Sequence, residues 1–130
     1  MHRRTLLCGL LALTACGTPS PGRTPGPGSA RPGDRIAGLA DLPVGSGALV
    51  DTPGGGQLLL VRPADTEVRA FNPACPHQGT VVNPPAGGAI VCPTHRSEFD
   101  PATGAVTRGP AVKGLAEVAV RLAGQDVLLA

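Results

Sequence analysis

Glycine and proline set the limits on what this chain can become: 19 of its 130 residues are Gly and 15 are Pro. Glycine weakens helices through backbone entropy, and proline removes the amide donor that the helix ladder needs. At this density they exclude long helices from most of the sequence and favour short strands joined by turns. The length is that of a single domain. An apolar fraction of 42% against 15% charged residues excludes a fully disordered chain. Trp and Tyr are absent, and Phe71 and Phe99 are the only phenylalanines. The core therefore has to be built from Val, Leu, Ile and Ala, and the base-stacking platforms of nucleic-acid-binding proteins are excluded.

The formal charge of +2 comes from eleven cations and nine anions, and two of the cations are Arg3 and Arg4. Without that pair the remainder is neutral, with no electrostatic claim on nucleic acid or on an anionic membrane surface. Arg3 and Arg4 open a segment with secretory order: a positive start, an apolar run from Leu6 to Ala15, then Cys16 and Gly17. The run is about half the 20 residues needed to span a bilayer. Residues 1–15 are therefore expected to be a signal peptide. Leu13-Thr14-Ala15-Cys16 resembles the bacterial lipoprotein signal, which implies cleavage before Cys16 and a diacylglycerol on its sulfur. Arg3-Arg4-Thr5-Leu6-Leu7 resembles the twin-arginine export signal, although His2 stands where Ser or Thr is usual. Together these imply an exported protein, lipid-anchored on the outer face of the bacterial cytoplasmic membrane. Residues 16–33 carry no large apolar residue and read as a Gly/Pro-rich tether with a reach of roughly 50 Å.

The folded domain is expected over residues 34–130. Ala48-Leu49-Val50, Gln57 to Val61, Val68 to Phe71 and Ala89-Ile90-Val91 are short apolar runs, with turns at Pro53 to Gly56 and at Pro63-Ala64-Asp65. From Ala116 to Leu122 apolar and polar residues alternate as in a half-buried strand, and Gly124-Gln125-Asp126 turns the chain into a hairpin partner, Val127-Leu128-Leu129. Closely spaced short strands of this kind predict an all-β fold, a small antiparallel sandwich or barrel.

With the signal removed and Cys16 lipidated, two cysteines and two histidines remain, as Cys75-Pro76-His77 and Cys92-Pro93-Thr94-His95, fourteen residues apart. Each group follows an apolar run and sits among prolines. The pattern resembles the Rieske iron-sulfur family, whose signature is C-x-H, a gap, then C-x-x-H. The resemblance implies one [2Fe-2S] cluster per chain, with Cys75 and Cys92 on one iron and His77 and His95 on the other. Two thiolates and two neutral imidazoles leave the oxidised cluster close to neutral, so it accepts an electron more readily than an all-thiolate cluster does. Each of two cluster-binding loops gives one ligand to each iron, so the loops must project side by side, stiffened by Pro73, Pro76 and Pro93. Gly79, Gly87 and Gly88 are expected to let backbone pass close to the sulfides.

The resemblance continues through Gln78-Gly79, Ser97, Phe99-Asp100, Pro101 to Gly104 and Gly109-Pro110. It implies that Ser97 hydrogen-bonds a bridging sulfide and that the Gly109-Pro110 loop packs against the cluster loops. Four positions depart from it. Thr80 and Thr94 stand where high-potential members carry a disulfide, which implies loops held by packing alone. Arg96 replaces a usual glycine, and Phe99 a tyrosine that would donate to a ligand sulfur. These departures imply a middle potential within the family range of about −150 to +300 mV.

The same four ligands would also suit tetrahedral zinc, and a Cys75–Cys92 disulfide in a metal-free lipoprotein module is a third reading. The surrounding residues favour the cluster. No further histidine is left for a mononuclear iron site and no further cysteine for nucleophilic work, so no independent catalytic site is expected. The expected role is electron transfer between donor and acceptor proteins, as a carrier or a redox-complex subunit. The alternative is the Rieske subunit of a quinol:cytochrome c oxidoreductase, in which a cluster histidine meets quinol.

Overall fold

The computed structural model describes residues 23–130. The signal segment, Cys16 and the first part of the tether lie outside the described residues. In chain order the elements are β1 (Thr24–Pro25), β2 (Arg35–Gly38), a 3-10 turn (Leu39–Asp41), β3 (Gly47–Thr52), β4 (Gly56–Ala64), β5 (Glu67–Phe71), β6 (Ile90–Val91), β7 (Glu98–Phe99), β8 (Val106–Arg108), β9 (Glu117–Val118), β10 (Val120–Ala123) and β11 (Asp126–Leu129). The all-β expectation holds, and among the described residues no helix is long and apolar enough to cross a membrane.

The organising element is β4. Leu58, Leu59, Leu60 and Val61 are each at most 1% exposed. Successive strand side chains point to opposite faces, so a continuous apolar run must be covered on both. Leu59 and Val61 pack with Phe71, Val82, Ile90, Phe99 and Leu115 in one core, which also contains Cys75 and Cys92. Leu58 and Leu60 pack with Ile36, Leu39, Leu42, Ala70, Val127 and Leu129 in the other. Each buried leucine contributes about 1.5–3 kcal/mol. The sheet β1-β4-β5-β9, with β3 also on β4, is thus a wall between two cores. The sheet β10-β11-β2 closes one side, and β6-β7-β8 carries the cysteine-histidine segments on the other.

The turn at Pro53-Gly54-Gly55 forms as expected, closing Thr52 on Gly56. The next one moves. β4 runs through Pro63 to Ala64, and the chain reverses at Asp65-Thr66, where Ala64 pairs with Glu67. The register shifts between Val61 and Ala64, and in such a bulge proline owes no amide to the ladder. The Arg62 guanidinium donates to the carbonyls of Leu39, Leu42 and Asp65, pinning this turn to the 3-10 segment.

The alternating stretch from Ala116 to Leu122 is two strands, because the chain changes sheet at Ala119. Val118 pairs with Ala70 of β5, whereas Val120 pairs with Leu129 of β11. Val118, Val120 and Leu122 are half-buried as the alternation requires, but Ala116 is exposed. The closing hairpin forms, with Ala123 opposite Asp126 and Gly124 at φ 62°.

Residues 24–33, expected as part of the tether, instead pack against the domain. Thr24 and Pro25 pair in parallel with Gly56 and Gln57, and Gly26 and Gln57 exchange two backbone hydrogen bonds of 2.9 Å. The Thr52 hydroxyl donates to the Pro27 carbonyl at 2.9 Å, and the Gly33 amide to that of Leu129 at 2.7 Å. β5 ends at Phe71, opposite Leu59, so β4 extends beyond it with unpaired backbone groups that residues 24–26 satisfy.

The turn from Asp100 to Gly104 holds the other side of Phe71. The Asp100 carboxylate accepts the amides of Ala102 at 2.7 Å and Thr103 at 3.0 Å, which lowers its pKa from the ordinary carboxylate value. Gly104 has φ 75°, and a Cβ there would lie 2.6 Å from the ring of fully buried Phe71. Replacing Gly104 with Ala should therefore destabilise the domain by about 2–3 kcal/mol, from left-handed strain and overpacking, with a fall of about 10 °C in Tm. Gly55 has φ 91° but open space around it, so Gly55→Ala should lose only the strain part. Equal melting temperatures for the two variants would show that the ring contact is not tight.

Candidate metal centre

The two cysteine-histidine segments fold as near-identical loops. In each, the cysteine amide donates to the carbonyl five residues on: Cys75 to Thr80 at 2.7 Å, and Cys92 to Ser97 at 2.9 Å. The amide four residues on donates back to the cysteine carbonyl: Gly79 to Cys75 at 2.7 Å, and Arg96 to Cys92 at 2.9 Å. Proline follows each cysteine, where its fixed φ suits the start of a turn. This closure drives the fifth residue left-handed, with φ 79° at Gly79 and 65° at Arg96. Arg96 thus occupies a position whose backbone favours glycine, and it bears strain of about 1–2 kcal/mol. The Ala74–Val81 bridge closes the first loop at its base, and the β6–β7 pairing Val91–Glu98 closes the second.

These loops separate the donors by depth. Cys75 and Cys92 are each 2% exposed, and neither forms a disulfide. His77 and His95 are exposed at the tips, with ring centroids 4.9 Å apart in an edge-to-face arrangement at 79°. Thiols behind and imidazoles in front match a cluster with sulfur ligands on its inner iron and nitrogen ligands on its outer one. Among the described residues no three His, Cys, Asp or Glu side chains converge on a single ion. A cluster takes two protein ligands on each of two irons, and two thiols with two imidazoles supply that donor set. The residues present therefore fit a [2Fe-2S] group.

Ser97 is fully buried, and its Oγ accepts the amide of Ala111 at 3.0 Å. That bond ties the Gly109-Pro110 loop to the second cluster loop and leaves the serine hydrogen free to donate elsewhere. Phe99 is fully buried in the core that contains both cysteines. Gly79, Gly87 and Gly88 all have positive φ and open space where a Cβ would stand. The expectation of loops held by packing alone is corrected: the Thr94 hydroxyl donates to the Thr80 hydroxyl at 2.8 Å, directly between the two tips. Threonines at these positions could be read from the sequence, but their meeting depends on the side-by-side packing of the loops. The Ala111 donor left no sequence signal, because any non-proline residue carries an amide.

A family model for the Rieske [2Fe-2S] domain matches residues 36–119, and the chain belongs to that family. The cytochrome b6-f complex iron-sulfur subunit of Prochlorococcus marinus is 36% identical over 95 residues, 70% of this chain and 52% of its own. The chain thus spans about half the length of the curated b6-f subunits it matches. Among solved structures, the plasma membrane Rieske protein of the cyanobacterium Synechocystis PCC 6803 superposes with a TM-score of 0.64 at 35% identity, covering 74% of this chain and 97% of that one. The ferredoxin of carbazole 1,9a-dioxygenase from Nocardioides aromaticivorans IC177 gives 0.60 at 30% identity, covering 77% and 98%. As a Rieske domain the chain carries one [2Fe-2S] cluster, the group with which proteins of this family transfer electrons.

The Thr80–Thr94 bond should slow loss of the cluster by holding the loops at their ligating separation. Thr80→Val and Thr94→Val should each speed bleaching of the visible absorption in chelator about five-fold, the equivalent of one neutral hydrogen bond. The double valine variant should be no faster than either single one, and Thr→Ser at either position should bleach at the native rate. Additive effects of the two valines would show that the hydroxyls act separately.

Proposed function

We propose that this protein is an exported electron carrier or redox-complex subunit, held on the outer face of the bacterial cytoplasmic membrane by lipid on Cys16. The observation that carries the redox part is the pair of matched loops, with thiols buried behind exposed imidazoles. Cys75 and Cys92 would hold the inner iron, and His77 and His95 the outer one. The bound cluster would supply one-electron transfer. The chain's own residues shape how it does so. The apolar core around both cysteines excludes water from the sulfur side. The exposed histidines bring the outer side to the surface, where a partner can approach. The Ser97 hydroxyl is placed to donate toward the cluster, which would favour the reduced, more negative state.

Membrane attachment rests on the lipoprotein-like sequence at Cys16, and the docked segment from Arg23 limits its reach. Seven residue steps separate Cys16 from Arg23, so the leash spans at most about 25 Å. The redox partner would then also work close to the membrane. A diacylglyceryl group suffices for such anchoring, whereas a single chain anchors only marginally.

A second reading is favoured by the resemblance to cytochrome b6-f iron-sulfur subunits together with the exposed histidine pair: a Rieske subunit that oxidises quinol. Against a high potential stand Phe99, Thr80 and Thr94.

The purified protein should contain two irons and two acid-labile sulfides, and its reduced form should give a rhombic paramagnetic resonance signal with average g near 1.9, roughly as mixed His/Cys ligation implies. His77→Ala and His95→Ala should lose or alter this signal, because no spare ligand fills the position. One zinc and no signal would overturn the electron-transfer reading. Voltammetry decides between the two roles: a middle potential supports the carrier, and a value near the upper limit of about +300 mV the quinol oxidase.

Changing Cys16 to Ser should release the protein from membranes. Retention of the variant with an intact N-terminus would mean that the apolar run from Leu6 to Ala15 is itself the anchor.

A further inference from the structure

Charge is distributed unevenly over this domain. None of the nine carboxylates lies between Pro73 and Ser97 or between Gly109 and Ala116. These are the segments that form both cluster loops and the loop bonded to Ser97 through Ala111. Two cations do lie there, Arg96 beside His95 and Lys113 two residues beyond Ala111, and both are exposed. Elsewhere among the described residues Arg23, Arg35, Arg62, Arg69 and Arg108 are ion-paired with Asp51, Asp126, Asp65, Glu67 and Glu98. Arg96 and Lys113 are in no such pair; Arg31 and Arg121 are the other described cations outside these five pairs. The carboxylates nearest in sequence are Glu98, taken by Arg108 at 3.4 Å, Asp100, which accepts two amides of its own turn, and Glu117 on β9.

Beside Lys113, on the loop bonded to Ser97 through Ala111, stands the most exposed large apolar side chain among the described residues, Val112 at 90%. Its loop does not hang free, since the Ala111 amide is anchored on buried Ser97. With two thiolates the oxidised cluster is formally neutral and gains one negative charge on reduction. The two cations therefore keep the face positive in both states.

We propose that the face formed by residues 75–80, 92–97 and 109–114 docks an acidic redox protein, with Val112 as apolar contact and Arg96 and Lys113 as its cationic rim. The inference rests on the cluster reading above. Opposite charge around a small apolar contact speeds encounter and orients the partner without making the complex tight.

Lys113 is the only lysine in the chain, which makes the test specific. Reductive methylation with labelled formaldehyde places one side-chain reporter at Lys113, distinct from any free terminal amine. Hexacyanocobaltate(III), an inert trianion, should shift that resonance in the full-length protein, and the effect should vanish at 0.5 M salt, where the Debye length is only about 4 Å. In a parallel measurement ferricyanide, of the same shape and charge, takes one electron from the reduced protein and becomes ferrocyanide. Its rate should fall about three-fold or more in Lys113→Glu, and in Arg96→Gly, which removes charge while easing the left-handed backbone. Arg121→Gln, at the exposed position of β10, should match the native rate. A ferricyanide rate that is independent of salt, or equal in Lys113→Glu and Arg121→Gln, would overturn the proposal. A protein without a cluster would fail the ferricyanide step in every variant, which tells against the cluster reading; the inert anion still tests the charged face by itself.

Discussion

Burial of β4 on both faces is the constraint from which the rest of the structure follows. Leu58 and Leu60 belong to one core and Leu59 and Val61 to the other, so a single strand makes two hydrophobic surfaces that must each be covered. One is covered by β2, β10 and β11. The other is covered by the segments carrying Cys75 and Cys92, so the thiol side of the metal centre is itself part of the core. Sulfur ligands set in close-packed surroundings are shielded from water and held in register with the strand wall.

The twin loops show how backbone closure governs composition. Each must turn within the residues between a cysteine amide and the carbonyl five positions later, and the fifth residue becomes left-handed in both. Gly79 accepts that conformation without strain; Arg96 accepts it under strain and places a cation beside His95. The histidine lies one residue later in the second loop than in the first, and the rings nonetheless meet edge to face at 4.9 Å. Strain at a non-glycine residue beside a candidate metal ligand is the kind of feature that persists only where surrounding contacts impose it. Here the bonds of Cys92 to Ser97 and of Ser97 to Ala111 do so.

The departures from the family pattern acquire physical content in three dimensions. Thr80 and Thr94 replace a covalent link with a hydroxyl pair, which no thiol reductant can open. Phe99 contributes a fully buried ring where a hydroxyl donor would otherwise stand. Thr24 and Pro25, expected as part of a tether, dock on β4 as a two-residue strand.

The four candidate ligands, the turn at Pro53 to Gly55, the closing hairpin at Gly124 and the all-β class were legible in the sequence, because local spacing and turn chemistry determine them. Residues 24–33 were not, since their docking uses backbone hydrogen bonds and glycine contacts that leave no apolar signature. Nor was the change of sheet at Ala119, because alternation is the same whichever partner a strand pairs with. The Thr80–Thr94 bond and the Ala111 donor to Ser97 join positions that the sequence keeps apart. The sequence by itself determined which atoms could bind metal, through residue type and short-range spacing. Only the tertiary structure decided how deep each donor lies and what surrounds it, because burial and cross-loop contact depend on packing between segments distant along the chain.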